Sequence, residues 1–187
     1  MPEYPTFLCM ADMASAAAKY WGEALTAHVE EGGGDDQTRR ANEFAFDRLR
    51  IWPRVLADVR QGHTALTLLG EAFAHPILLG PLAYQMALHP AGELATAEAA
   101  TAMDAGMVLS TLSSCSLEAV AAQLPSRKWF QLYFQASPDD TLRLLRRAEA
   151  AGYSALVVTV DVPIHGARLR SQKAGFVMPE QVRAVNL

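Results

Sequence analysis

The period of the hydrophobic pattern changes partway along the chain. Residues 11–31, ADMASAAAKYWGEALTAHVEE, are rich in alanine with apolar positions at helical spacing, so they predict a helix that the GGGDD run terminates. Asp35 or Asp36 stands where it can cap a second helix, DQTRRANEFAFDRLR, which brings Ala41, Phe44 and Leu49 onto one side and stops at Pro53. TALTLLGEAFAH alternates apolar and polar residues about Gly70 and predicts a hairpin turned there. From Pro76 onward short apolar runs alternate with helical ones: ILLGP then GELATAEAATAMDAG, MVLST then SLEAVAAQL, WFQLYF then PDDTLRLLRRAEAAG, and finally ALVVTVDV. Apolar strands joined by helices predict an α/β fold with a parallel sheet covered by helices. The chain thus divides into a helical segment over 1–62, a hairpin over 63–75 and strand-helix units over 76–187.

One strand raises a question. In FQLYFQ, residues 130–135, alternation puts Gln131 and Tyr133 on one face and Phe130, Leu132 and Phe134 on the other. The surrounding segments are too apolar for a sheet with a wetted side, so the amide and the phenol must face something other than bulk water. Polar or small residues also gather where the other strands end: Pro81, Leu82 and Ala83 after the first, Ser110 and Thr111 at the second, Thr159 and Asp161 at the fourth. Residues converging from the carboxyl ends of several parallel strands form the active-site face of a barrel. An open doubly wound sheet would announce a nucleotide with a Gly-rich first turn, and GPLAYQ is no such turn.

Composition removes other classes. The 187 residues are 51% hydrophobic and 19% charged, as in one soluble globular domain with a substantial core. The net charge is −4 and no stripe of Lys and Arg tracks a phosphate backbone, which argues against a nucleic-acid partner. No apolar run reaches the roughly 18 residues of a membrane span, and MPEYPTFLCMADM lacks the basic and apolar regions of a secretory signal, so the expectation is a cytoplasmic protein with no membrane partner. Cys9 and Cys115 are far apart, and His28, His63, His75, His89 and His165 show no ligand spacing, so no metal site is expected.

Taken together, the motifs resemble those of the FMN-dependent α-hydroxy acid oxidases and dehydrogenases, the family of glycolate oxidase, lactate oxidase and mandelate dehydrogenase. GGGDDQT with Asn42 resembles G-A-x-D-x-x-T-x-x-x-N, and FDRLRIWPRVLADV resembles F-x-R-x-x-x-x-P-R-x-L. HPAGE, LST and WFQLY follow in order, and TVDVPIHGARLR resembles T-V-D-T-P-x-x-G-x-R. The resemblance runs from about Asp12 to Pro179. It implies a TIM (β/α)8 barrel of which this chain supplies N-terminal helices, a hairpin closing the bottom and the first four strand-helix units. It implies FMN as cofactor, with the backbone at Leu82 and Ala83 near the reactive nitrogen and with Ser110, Gln131 and Thr159 on the polar edge of the ring. Tyr133 and Arg168 match residues that act on the substrate, Arg168 gripping its carboxylate through a guanidinium fork. Ala83 leaves room beside them, and His28 stands where many members carry a tyrosine that binds the carboxylate. Each of these residues has a duller explanation alone, in packing or solvation; their joint occurrence carries the assignment.

The activity implied is oxidation of an (S)-2-hydroxy acid to a 2-oxo acid by hydride transfer to flavin, and His28 points away from glycolate as substrate. RSQKAGF, with Ser171 and Ala174, replaces the family's usual acidic and Asn-containing pattern after Arg168, which predicts that the loop after the fourth strand is less tightly tied down. A complete barrel takes about 250 residues, and the family's histidine base lies in a C-terminal half. The expectation is therefore that a second chain or segment completes the barrel and that the enzyme is a homo-oligomer, a tetramer by resemblance. Two other readings stay open: another FMN barrel such as a type 2 isopentenyl diphosphate isomerase, and a non-catalytic half-barrel module.

Overall fold

The computed structural model describes residues 7–161 and 164–187; Val162 and Pro163 of the TVDVPIHGARLR motif and the first six residues lie outside them. The chain forms two compact units, Met1–Leu56 with Ile164–Val177 and Ala57–Pro163 with Met178–Leu187.

The larger unit begins with a hairpin. Strands β1 (Leu66–Leu68) and β2 (Glu71–Phe73) pair antiparallel, with Leu68 opposite Glu71. Leu69 and Gly70 both have positive φ, 50° and 83°, which is the turn whose twist matches the flanking strands. Four parallel strands follow in chain order: β3 (Leu78–Leu79), β4 (Gly106–Ser110), β5 (Lys128–Leu132) and β6 (Ala155–Val158). Helices α3 (Gly92–Ala102), α4 (Leu117–Gln123) and α5 (Pro138–Ala150) connect them. Ser116 Oγ accepts from Ala119 N at the start of α4, and Ser137 Oγ accepts from Asp139 N ahead of Pro138 in α5. Both are N-caps that satisfy otherwise orphaned donors.

Alternation assigns the two faces of the sheet. Met107, Leu109, Phe130 and Leu132 pack with Leu117, Val120 and Leu144 of the helices. Val108 and Trp129, one residue out of phase, pack with Phe73 of the hairpin. Glu71 Oε2 accepts from Trp129 Nε1 at 3.0 Å and from Ser154 Oγ at 2.9 Å, so the hairpin covers the amino ends of the strands. Gly106 is crowded: a Cβ there would overlap Leu78 Cδ1 and lie 2.9 Å from Phe73 Cε1 and 3.1 Å from the Arg127 carbonyl oxygen. The sheet is open, with β3 and β6 at its edges.

The alternation predicted for FQLYFQ holds only as far as the ladder. Phe130 and Leu132 are buried, but Phe134 lies beyond the end of β5 and is 66% exposed. The chain has by then left the sheet, so no partner strand fixes which way its side chains point.

In the smaller unit, α1 (Met10–Glu30) is interrupted by Gly22 at φ 73°. α2 (Gln37–Asp47) stops three residues before its predicted end. Asp36 precedes α2, but its carboxylate accepts from Gly32 N instead of capping the helix. A short α6 (Leu169–Lys173) has no counterpart in the sequence expectations. Among the described residues no helix is long and apolar enough to cross a membrane.

Candidate functional site

The carboxyl ends of β4, β5 and β6 bring three of the expected residues together. Ser110 Oγ donates to Gln131 Oε1 at 3.3 Å, and Gln131 Nε2 donates to Thr159 Oγ1 at 2.8 Å. Ser110 and Gln131 are buried, 4% and 2% exposed. The parallel register puts Ser110 beside Gln131, and Gln131 follows Trp129 on the face turned away from the helices. That face is apolar near the hairpin and becomes polar toward the strand ends, which answers for Gln131 the question raised by FQLYFQ; Tyr133 lies past the end of the ladder. Gln131 Oε1 also accepts from Thr111 N at 3.2 Å, so the amide oxygen is held from two sides. Among the described residues, one Gln131 N–H and the Thr159 hydroxyl hydrogen remain for a further partner. A row of fixed donors and acceptors fits the edge of a planar heterocycle on which carbonyl oxygens and a ring N–H alternate.

Thr111, read from the sequence only as a rim residue, is a structural hub. Its hydroxyl donates to Gln131 O at 2.6 Å and accepts from Tyr133 N at 3.1 Å. It thereby fixes the backbone of Tyr133, which is half-buried one residue past β5. Leu82 and Ala83 lie in the loop after β3, Leu82 exposed and Ala83 half-buried. Leu82 O accepts from Gln85 Nε2 at 3.4 Å. Tyr84 sits in the left-handed region at φ 54°, an uncommon conformation for a non-glycine residue, and its N–H donates to Leu112 O. Glu93, quoted in HPAGE without a role, is completely buried and accepts from both of these loops.

The remaining two expected residues belong to the smaller unit and meet each other there. Arg168 Nη2 donates to the carbonyl of His28 at 2.7 Å, and Arg168 Nε donates to Glu31 Oε1 at 2.9 Å. Glu31 Oε2 accepts from Arg170 N and Ser171 N, at 2.9 and 3.0 Å, at the start of α6. Burial alone pushes the Glu31 carboxyl up, but the hydrogen bonds from Ser171, Arg168 and Arg170 outweigh it and hold the group below the usual carboxylate range. The stretch from Arg168 to Ser171 is therefore tied down, contrary to the looser loop expected after the fourth strand, of which Val162 and Pro163 lie outside the described residues. One carboxylate from the end of α1 anchors the loop in place of the usual side-chain pattern. His28 stacks on Phe176 with ring centroids 4.0 Å apart, and its Nδ1 lies 3.4 Å from Ser171 Oγ. Burial, helped by the Arg168 charge and opposed by Glu31, holds the imidazole below its ordinary pKa.

Comparison with known proteins places this geometry in a family. The L-lactate oxidase of Alicycliphilus denitrificans is 49% identical over 161 residues, 86% of this chain and 44% of that protein. The 4-hydroxymandelate oxidase of Amycolatopsis orientalis is 40% identical over 181 residues, covering 97% of this chain and 50% of that one. A crystal structure of mandelate oxidase with (S)-2-phenylpropionate superposes with a TM-score of 0.93 at 40% identity, covering 97% of this chain and 54% of the other. The chain spans about half the length of the curated relatives it matches, and its four strand-helix units are a partial α/β barrel. Residues 17–187 match the family model described as FMN-dependent dehydrogenase, and the chain belongs to that family.

Proposed function

We propose that this chain is the flavin-edge half of an enzyme that oxidises an (S)-2-hydroxy acid to a 2-oxo acid. The observation that carries the reading is the hydrogen-bonded row Ser110, Gln131 and Thr159 at the ends of three adjacent parallel strands. FMN, the family's cofactor, presents just such an edge in its pyrimidine ring, and when bound it supplies a two-electron acceptor for the substrate's α-hydrogen as hydride. Fixed donors at that edge favour negative charge on it and orient the ring. The loop of Leu82 and Ala83 lies at the same rim and offers backbone where a small side chain leaves room.

Tyr133 contacts the substrate near its hydroxyl and carboxylate in this reading, and Arg168 grips the carboxylate. Glu31 already occupies Nε of that arginine and the His28 carbonyl takes one N–H of Nη2. A substrate carboxylate is therefore received end-on, by Nη1 and the remaining hydrogen of Nη2. The base that takes the hydroxyl proton lies in a completing segment outside these 187 residues. General acid-base help is worth about 10²–10⁴ in rate, so the chain alone turns over little.

The test is an FMN titration followed by flavin fluorescence and absorbance. Gln131→Leu removes the donor and acceptor at the centre of the row and is expected to weaken binding about tenfold. A colourless wild type that takes up no FMN supports a non-catalytic half-barrel instead. With the barrel completed, anaerobic bleaching by a panel of 2-hydroxy acids identifies the substrate. Arg168→Lys is expected to abolish most of that bleaching, whereas an isomerase of the same fold would be indifferent to it.

A further inference from the structure

Glu93 is an acidic residue, fully buried and absent from the chemistry above. It sits in the first turn of α3, yet its carboxylate is not turned to solvent. Oε1 accepts from Gln85 N at 3.1 Å and from Ser114 N at 2.9 Å, and Ser114 Oγ lies 3.1 Å from both oxygens. Ser114 Oγ in turn accepts from Met86 N at 3.0 Å. Gln85 carries the connection outward: its Nε2 donates to the Leu82 carbonyl, and its Oε1 accepts from Thr96 Oγ1 of α3. One carboxylate thus joins the loop after β3 to the loop after β4.

Two further features show that this junction is built for position. Gly92 has φ 48°, and a Cβ there would lie 2.7 Å from Met86 Cγ, so only glycine lets the turn at Gln85–Ala87 settle against the start of α3. Tyr84, at φ 54°, holds an unfavourable conformation next to the residue whose amide Glu93 receives. Such strain persists where surrounding contacts over-determine it. A buried charged group often adds no more stability than an apolar side chain of similar volume would. The hydrogen bonds of Glu93 run to two rim loops, so a role in holding those loops accounts for the acidic side chain.

We infer that Glu93 is a positioning residue for the cofactor rim: it fixes the loop of Leu82 and Ala83 against the loop that follows Ser110, so that the backbone facing the flavin is set before the flavin arrives. The inference rests on the FMN reading above. Preorganisation of this kind is felt as affinity, because a loop already in place loses no freedom on binding.

With the barrel completed, the experiment compares the wild type with Glu93→Leu, Glu93→Gln and Leu144→Ala. Leu144 is a buried core residue of α5 away from the rim and serves as a destabilised control. FMN affinity is read by fluorescence quenching at a temperature where all four are folded by far-UV circular dichroism, and exchange of the Gln85, Met86 and Ser114 amides is read by NMR. Glu93→Leu removes both acceptors and is expected to weaken FMN binding by about tenfold or more, with faster exchange at those amides. Glu93→Gln keeps one acceptor oxygen and recovers most of both. Leu144→Ala lowers the melting temperature without changing FMN affinity. If Glu93→Leu fails to fold, Glu93→Asp takes its place, because shortening the side chain withdraws the carboxylate from both amides while keeping its charge. Wild-type FMN affinity in the Leu or Asp variant overturns the inference and leaves the cofactor reading standing. Failure of the wild type to bind FMN overturns the cofactor reading and the role of Glu93 with it.

Discussion

β5 and β6 are neighbours in register, Phe130 beside Leu156 and Leu132 beside Val158, and their sequences are similarly apolar. Their fates differ. Phe130 and Leu132 are 0% and 1% exposed, whereas Leu156 and Val158 are 44% and 41% exposed. Among the described residues β5 has a strand on each side and β6 has β5 alone. Beside β6 lies an open cavity of about 280 Å³ lined by Phe130, Leu145, Ala148, Tyr153 and Leu156. An apolar strand states a demand for burial, and whether the demand is met depends on what its neighbours supply. The exposed side of β6 supports the proposal that a further segment packs there. An uncovered apolar edge of this kind is otherwise an aggregation hazard.

The contrast yields predictions of decreasing size. Phe130→Ala leaves a cavity in a close-packed layer and is expected to cost about 3–5 kcal/mol in urea unfolding, whereas Leu156→Ala costs less than about 1 kcal/mol. Equal costs would mean that β6 is covered in solution. Gly106→Ala drives a methyl into Leu78 and Phe73 and is expected to cost about 1–3 kcal/mol; a neutral result would show that the hairpin moves freely against β4.

The smallest effect concerns charge in the smaller unit. His28 has a pKa depressed below its unfolded value of 6.5. The unfolded chain therefore binds the proton more readily, and the stability due to this group is present above pH 6.5 and lost as pH falls toward the folded pKa. NMR titration of the imidazole is expected to show the depression. Glu31→Gln is expected to deepen it, since Glu31 is the group that favours the imidazolium. A shift in the opposite direction would remove Glu31 from the surroundings of His28.

The fold was legible because its signals are local and periodic: apolar strands alternating with helical runs, and a hairpin turned at Gly70. Ser110, Gln131 and Thr159 were legible as polar residues at strand ends. Glu93 and Glu31 were not. A glutamate in the first turn of a helix reads as a solvated partner of the helix dipole, and a glutamate closing an alanine-rich helix just before GGG reads as a solvated helix end. Their partners are mostly backbone N–H groups from distant segments, which leave no trace in side-chain identity. α6 is too short to show a period, and Phe134 was misplaced because alternation was carried past the last paired residue.

The hydroxyl of Thr111 acts as the last rung of the ladder between β4 and β5, replacing a backbone group where the two strands part. Serine can stand in at that position and valine cannot, although valine matches threonine in shape. The orientation of a tyrosine two residues beyond Gln131 thus depends on one oxygen atom belonging to the neighbouring strand.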